Sequence, residues 1–322
     1  MNEANVRKYL EVIKRATQLI ERELTEPSSP EQLMNEINMP QITHVQSQTQ
    51  DSSESPKINS KALAARQEHV KSLMEIDCWP VAVPDHLVNS ATKEDQINRA
   101  NMVWDMFSDR PIEKMDFLDF GCGEGWITKQ ALSRGASTAT GYDIEENPNW
   151  ANIEGVNFTT DLSELSENTY DVIMLFDVLD HCEDPVGVMQ KVKSLLKLSG
   201  GSVYVRCHPW TSKHATHAYK QGLNKAFIHL FLNWDEIDFF LGEDQKPMFT
   251  RKEINPVEAY RWWFHEFNIA KERFVKGEPL SDFFLVESFK KLVIDEQKIP
   301  SDRVEGFFKD MEIDFVDFVL ET

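Results

Sequence analysis

Apolar residues recur from Val6 through Leu10, Ile13, Thr17 and Ile20 to Leu24 at alternating steps of four and three. That seam, with Thr17 as its weak member, predicts one amphipathic helix over residues 3–24. Its apolar face either packs on the body of the protein or docks on a partner or a second copy. Residues 41–60 carry five Ser and four Gln against three aliphatic residues. Such a stretch buries too little surface to offset its ordering entropy and reads as a polar linker. A helix held beyond a tether has more chance to meet a partner than to pack on its own domain. Two more helices are expected, over 61–76 with Leu63, Val70, Leu73 and Met74 on one face, and over 93–107 with Ile97, Met102, Trp104 and Phe107. WPVAVPDH between them is extended or turn-like, since each proline restrains itself and the residue before it.

From residue 116 the pattern alternates. FLDFG is a buried strand, GWITKQALSRG a helix closed by Gly135, TATGYDI a second strand, VNFTT a short third and YDVIMLFD a fourth. DPVGVMQKVKSLLKLSGG follows as a helix with Asp184 as N-cap, Pro185 in its first turn and Gly200-Gly201 at its stop. SVYVRCH is a fifth strand. Strand and helix alternating at this spacing predict right-handed crossovers and a parallel sheet covered on both faces. In the last third, NPVEAYRWWFHEF and SDRVEGFFKDM read as helices and NIAKERFV and EIDFVDFVLE as strands, while FFLVESFKKLVI fits either type. The aromatic cluster YRWWFHEF is read as core rather than as a substrate platform.

Charge narrows the function. With 34 Lys+Arg against 54 Asp+Glu the net charge is −20, which argues against general binding to DNA, RNA or an anionic membrane, because affinity for phosphate backbones comes from Lys and Arg. No apolar run approaches the roughly 18 residues of a membrane helix. MNEANVRKYLEVIKR lacks the apolar core and cleavage site of a signal peptide. Cys78, Cys122, Cys182 and Cys207 form no CxxC pair and no metal-finger spacing. A soluble protein of a reducing, cytoplasmic compartment is expected, without a bound metal.

The candidate chemistry sits at the carboxyl ends of the strands, where open parallel sheets bind ligands. The first strand ends in Asp119-Phe120-Gly121-Cys122-Gly123-Glu124-Gly125. Glycines at alternate positions permit a tight turn and let a ligand lie against bare backbone. A dinucleotide fingerprint would place the third glycine one residue later, and Glu124 is unsuited to a pyrophosphate. A ligand with a positive centre suits Asp119 and Glu124 better. Asp143 ends the second strand near the spacing at which an acid accepts from ribose hydroxyls. Asp161 follows the third strand, where a carboxylate can accept from an adenine amino group, and Asp177 ends the fourth. Four acids thus converge on one rim.

LDFGCGEG, GYDI, TTDL and YDVIMLFDVLDHCEDP, followed by helix-Gly-Gly-strand, resemble the class I S-adenosylmethionine-dependent methyltransferases, particularly the small-molecule group with ubiquinone-pathway and type 11 enzymes. The resemblance covers about residues 114–208. It implies a Rossmann-like, mostly parallel seven-stranded α/β sheet with helices on both faces, to which this chain adds its N-terminal helical arm. It also implies S-adenosylmethionine as cofactor. By similarity, the Gly121-Cys122-Gly123 backbone cradles the methionyl part, Asp119 lies under its amino group, Asp143 and Ile144 hold the ribose, and Asp161 with Leu162 frames the adenine. Phe176 and Asp177 line the floor near the sulfonium. Asp180 stands where many family members carry Glu. The segment from the fifth strand onward is far longer than the common pattern, so the acceptor apparatus is not inherited from it.

No DPPY-like tetrapeptide and no Pro-Cys nucleophile follows the fourth strand, which sets aside DNA amino- and cytosine-C5 chemistry. Cys182 reads as a small buried residue. Residues 201–229 contain no Asp or Glu but do contain Arg206, Lys213, Lys220, Lys225, His208, His214, His217 and His229. This segment is expected to bind an anionic or carboxylate-bearing acceptor through Arg206, Lys213, His214 and His217, with His208 or His181 as base. The bland alternative is that it covers an acidic face of the same protein or of its partner. The domain plan is a docking or coiled-coil helix over 1–25, a linker over 26–60, a helical lead-in or lid over 61–112, and a methyltransferase domain over 113–322 with an insertion at 209–267. An unknown methyl acceptor and a protein partner or second copy bound through residues 3–24 complete it. The competing reading is a structural or assembly protein, such as a phage and virion component, that keeps the fold and the cofactor pocket.

Overall fold

The computed structural model describes residues 79–83, 92–182, 184–215, 219, 223–231, 260–277 and 279–322. The helices expected over 3–24 and 61–76 and the linker lie outside these residues, as do Cys78, His217 and Lys220. Cys78–Leu285 and Leu292–Thr322 make up one unit, whose described part follows; Val286–Lys291 fall in a second.

Seven strands form one sheet: β1 Asp116–Phe120, β2 Thr138–Tyr142, β3 Asn157–Thr159, β4 Val172–Phe176, β5 Ser202–Cys207, β6 Asn268–Lys276 and β7 Ile313–Glu321. Their order is β3-β2-β1-β4-β5-β7-β6. The first five pair in parallel, and β7 runs antiparallel between β5 and β6. β1 connects onward to β2 on one side while β4 flanks it on the other, so strand order reverses between β1 and β4. A crevice opens there at the carboxyl ends.

Period-two alternation sends the two faces of each strand into separate cores. On one face Leu118, Phe120, Ile173, Leu175, Val203, Val205 and Phe318 pack with Met189, Val192 and Leu195 of α3 (Pro185–Leu195) and with Tyr260, Trp263 and Phe264. On the other, Phe117, Val172, Met174, Tyr204 and Val319 pack with α1 (Lys93–Met106) and α2 (Trp126–Ser133). The Phe107 ring stacks on Tyr204 at 5.0 Å, and the Trp104 indole N–H donates to the Ile127 carbonyl at 3.0 Å. A Thr92–Asp95 capping box starts α1. The helix buries Ala100, Val103 and Trp104, whereas Met102, expected on that face, is exposed.

Asp184 caps α3 as expected, accepting from the Gly187 N–H at 2.9 Å. The helix ends at Leu195 rather than at Gly200-Gly201. Leu196 turns extended, bridges Tyr170 and buries its side chain in the core, a better partner than one more helical turn offers. The ambiguous FFLVESFKKLVI is helical, as α5 (Asp282–Leu285) and α6 (Glu287–Glu296), and α7 (Val304–Asp310) precedes β7. Tyr260–Trp263 forms the short α4, with Tyr260, Trp263 and Phe264 buried and Trp262 exposed, so the aromatic cluster is mainly core. Cys182 is half-buried, its thiol 3.2 Å from the Val178 carbonyl.

Candidate active site

Gly121 and Cys122 both donate their N–H groups to the Tyr142 carbonyl, at 2.7 and 2.9 Å, so the turn leaving β1 stays bound to β2. Gly123 is pinned from two sides. Its N–H donates to Asp143 Oδ2 at 2.7 Å, and its carbonyl accepts from the Trp150 indole N–H at 2.8 Å. A Cβ on Gly123 would meet no atom within 4 Å, so the backbone here is open to a ligand. Gly125 is different. With φ +84 and the Phe158 ring 2.6 Å from where a Cβ would lie, it is needed for packing and turn geometry. Phe158 in turn stacks on Trp150 at 4.8 Å. The alternating glycines alone could not reveal this division, because the ring responsible comes from β3.

The acids occupy different environments. Asp119 is 1% exposed; its Oδ2 accepts from the Thr128 hydroxyl at 2.7 Å, and its Oδ1 is buried with no hydrogen-bond partner among the described residues. Burial, reinforced by nearby Asp143, pushes its pKa up to about 7. Asp143 is half-buried beside the loop, and Ile144 next to it is 80% exposed. Asp161 is exposed and caps the turn Leu162–Glu164, accepting from the Ser163 hydroxyl and N–H at 2.7 and 2.8 Å, bonds that lower its pKa. Leu162 is half-buried. Phe176 ends β4 under the Arg99 guanidinium, 5.3 Å from the ring centre. Asp177 follows in a left-handed conformation, φ 53, its Oδ2 3.4 Å from Arg99 Nη2.

On the β5 side the expected acceptor-binding cations prove to be paired. Arg206 is 4% exposed and grips Asp317 of β7 with two bonds of 2.5 and 2.7 Å, while Arg273 of β6 bonds the same carboxylate. Register explains this: Arg206, Asp317 and Arg273 are direct neighbours across three strands. Arg206 is thus a buried strut between β5 and β7, engaged by Asp317 instead of standing open at the rim. Lys213 lies 3.7 Å from Asp314 Oδ2, and Lys225 sits over the Trp79 ring. For Arg206 and Lys213, the segment covers an acidic face of its own protein.

His208, expected as the base, is buried. Its Nδ1 is 3.1 Å from the Asp314 carbonyl and its Nε2 is 3.5 Å from Asp177 Oδ1. Burial alone would lower its pKa, but Asp177 foremost, then Asp180, outweigh that and raise it. His214 meets its ring edge-on at 4.4 Å. His229 donates from Nε2 to the Trp210 carbonyl at 2.7 Å, and burial holds its pKa down near 4. His181 keeps 27% of its side chain open, with Nε2 3.8 Å from Asp180 Oδ2. The Asp180 carboxyl is buried, and burial together with Asp177 raises its pKa. Two residues of this neighbourhood escaped the sequence reading. Arg99 projects from α1, and the Tyr219 phenol, raised by burial, feels the charges of Arg99 and Asp177. Neither belongs to a motif. Among the described residues, no cluster suits a metal ion and no helix is long and apolar enough to cross a membrane.

A sheet of order β3-β2-β1-β4-β5-β7-β6 with β7 reversed, and a glycine turn between acidic strand tips, define the class I S-adenosylmethionine-dependent methyltransferase fold. The chain belongs to the methyltransferase domain family, whose model matches residues 93–271. It is 28% identical over 105 residues to a ubiquinone biosynthesis O-methyltransferase of Parvibaculum lavamentivorans, covering 30% of this chain and 41% of the relative. To the enzyme of the same name from Actinobacillus pleuropneumoniae serotype 5b it is 32% identical over 98 residues, covering 26% and 42%. The match thus spans about two fifths of the length of these curated relatives. A solved S-adenosylmethionine-dependent methyltransferase from Archaeoglobus fulgidus aligns at 15% identity with TM-score 0.44, over 72% of this chain and 95% of that one. Magnesium protoporphyrin IX methyltransferase from Synechocystis, solved with bound S-adenosylhomocysteine, aligns at 14% and 0.42, over 73% and 91%.

Proposed function

We propose that this pocket binds S-adenosylmethionine and that the chain transfers the methyl group to an oxygen of a small, anionic acceptor. The observation that carries the reading is Asp119: a buried carboxylate with one oxygen that has no partner among the described residues, at the end of β1 where the Gly123 backbone is uncovered by them. Thr128 satisfies one oxygen of this acid, the other has no partner among the described residues, and the methionyl ammonium is a cation that would supply one. The other residues fit as well. The Gly121-Cys122-Gly123 backbone takes the methionyl chain, and Asp143, already oriented by Gly123, takes the ribose with Ile144 alongside. The exposed apolar Ile144 gains cover from an adenosine. Asp161 keeps one oxygen outside its cap for the adenine, with Leu162 beside it, and Phe176 and Asp177 form the floor.

Bound S-adenosylmethionine supplies an activated methyl group, so the chain mainly has to align a nucleophile and exclude water. The curated relatives are O-methyltransferases. A hydroxyl arrives protonated and calls for a base, and His181 suits that part better than His208, because its ring is open at the rim. Arg99, 61% exposed beside Asp177, takes the part expected of Arg206 and Lys213. His214 packs edge-on against His208, and His217 lies outside the described residues. In this plan residues 61–112 contribute α1 as a cover, residues 113–322 form the catalytic domain, and the insertion 209–267 shapes the acceptor side. The scaffold alternative draws on residues 1–60, outside the described residues, and no observation favours it.

Calorimetry with S-adenosylhomocysteine tests the reading. One-to-one binding is expected, weakened in Asp119→Asn. A dissociation constant weaker than about 1 mM, equivalent to roughly −4 kcal/mol, would remove it.

A further inference from the structure

We propose that His208 is a positioning residue: an imidazole protonated on both nitrogens that ties Asp177, at the tip of β4, to β7 and so holds the floor of the cofactor pocket. The inference rests on the pocket assignment above and concerns what keeps that pocket in shape.

Geometry sets the protonation. Nδ1 faces the Asp314 carbonyl at 3.1 Å, a group that only accepts, so Nδ1 carries a proton. Nε2 faces Asp177 Oδ1 at 3.5 Å. A lone pair there would point at a carboxylate, whereas a proton turns repulsion into a charged contact, and with 4% exposure water does not compensate. Both nitrogens are thereby engaged, and neither is directed to an acceptor.

Asp177 needs such a tie. Its φ of 53 is a conformation non-glycine residues adopt only when their surroundings enforce it. Its N–H donates to the Arg206 carbonyl at 2.8 Å, Arg99 reaches Oδ2 from α1, and His208 stands at Oδ1. The carboxylate thus lies between two cations on different elements, one from the α1 cover and one fixed to β7. From β4 and its tip Asp177, Asp180 and His181 surround this group; from the turn after β5 come His214, edge-on, and Lys213, which pairs with Asp314. Arg206 of β5 is taken by Asp317, and from β7 come the Asp314 carbonyl and the Phe315 ring at 4.4 Å. The Tyr260 hydroxyl donates to the His208 carbonyl at 3.1 Å and fixes the backbone. As pH rises through the raised pKa of His208, Nε2 loses its proton and Asp177 loses one of its ties.

The test combines side-chain nitrogen NMR with calorimetry on the full chain, from about pH 6 to about pH 9. At neutral pH both His208 nitrogens should carry protons. Affinity for S-adenosylhomocysteine should fall roughly tenfold as His208 deprotonates and its 3.5 Å ion pair with Asp177 is lost, the scale of a typical coupling between two sites. His208→Gln, which can still donate to the Asp314 carbonyl, should bind more weakly than wild type at neutral pH, and the gap should close as His208 deprotonates in the wild type, Asp119 titrating alike in both. A neutral imidazole with a bare Nε2 at neutral pH would overturn the proposal, and so would wild-type and His208→Gln affinities that are equal at every pH, Asp119 titrating alike in both. If the variant does not fold, the NMR titration of the wild-type chain decides. A wild-type chain that binds no S-adenosylhomocysteine would sink the pocket assignment, while the NMR signature would still report on His208 separately.

Discussion

The two sides of the sheet's carboxyl rim handle charge in opposite ways. On the β1–β2 side, among the described residues, Asp119 keeps a buried oxygen without a hydrogen-bond partner and the Gly123 backbone stands uncovered. On the β5–β7 side, Arg206 and Lys213 meet Asp317 and Asp314 of β7. On the proposed reading the first side receives the cofactor, whereas the second closes on itself. The difference shows why a motif carried more information than a composition. A Gly-x-Gly turn with acids at strand tips fixes where groups lie relative to backbone, whereas a segment without acids says nothing about the acids that pair with it from a strand a hundred residues later.

The hardest test of the closed side is Asp317→Ala. It leaves Arg206 buried without its carboxylate and takes the partner from Arg273. Removing one member of a buried ion pair costs about 3–5 kcal/mol. The urea midpoint should fall accordingly. A neutral result would mean that Arg206 relaxes toward the pocket, and the contrast between the two sides would dissolve.

The five parallel strands and α1, α2 and α3 were legible because each follows a clear apolar period bounded by glycine, proline or a capping acid. β6 and β7 were legible as strands, but their place in the sheet was not. β7 reverses direction between β5 and β6, and only that pairing puts Asp314 and Asp317 beside the cationic segment. The misreading of Arg206 and Lys213 is one long-range pairing missed. FFLVESFKKLVI was ambiguous because a short apolar run satisfies both periods. Arg99 and Tyr219 were invisible, since each acts only where α1 and the turn after β5 return over β4. The glycine turn and the place of Asp119 near the end of β1 were legible because both depend on local sequence.

On the open side, Asp119→Asn should weaken S-adenosylhomocysteine binding by roughly ten- to a hundredfold, the scale of a hydrogen bond to a charged group. Its effect on the free protein has the opposite sign. The Asp119 pKa is about 7 when folded against an ordinary 3.8. The native state therefore holds this proton more tightly than the unfolded chain, and the stability it contributes is fully present below 3.8 and lost as pH rises through about 7. The ligand-free Asn variant should escape that loss. An ammonium bound beside Asp119 favours the carboxylate, so binding just below pH 7 should release protons, seen as calorimetric heats that vary with the buffer's ionisation enthalpy. Binding without proton release, at unchanged affinity in the variant, would place the ligand's charge elsewhere.

The smallest expected effect sharpens the comparison most cheaply. Lys213 was a candidate acceptor ligand, yet it faces Asp314 at 3.7 Å with 30% of its side chain exposed. Partly exposed pairs of this length contribute about 0–1 kcal/mol. Lys213→Ala should therefore shift the urea midpoint little and leave S-adenosylhomocysteine affinity unchanged. Asp314 holds His208 through its backbone carbonyl, which the substitution does not touch, so the neutral-pH signature of the His208 ring should also persist. A loss of cofactor affinity would show that the Lys213–Asp314 pair supports the pocket floor, and the two sides of the rim would then be one coupled site.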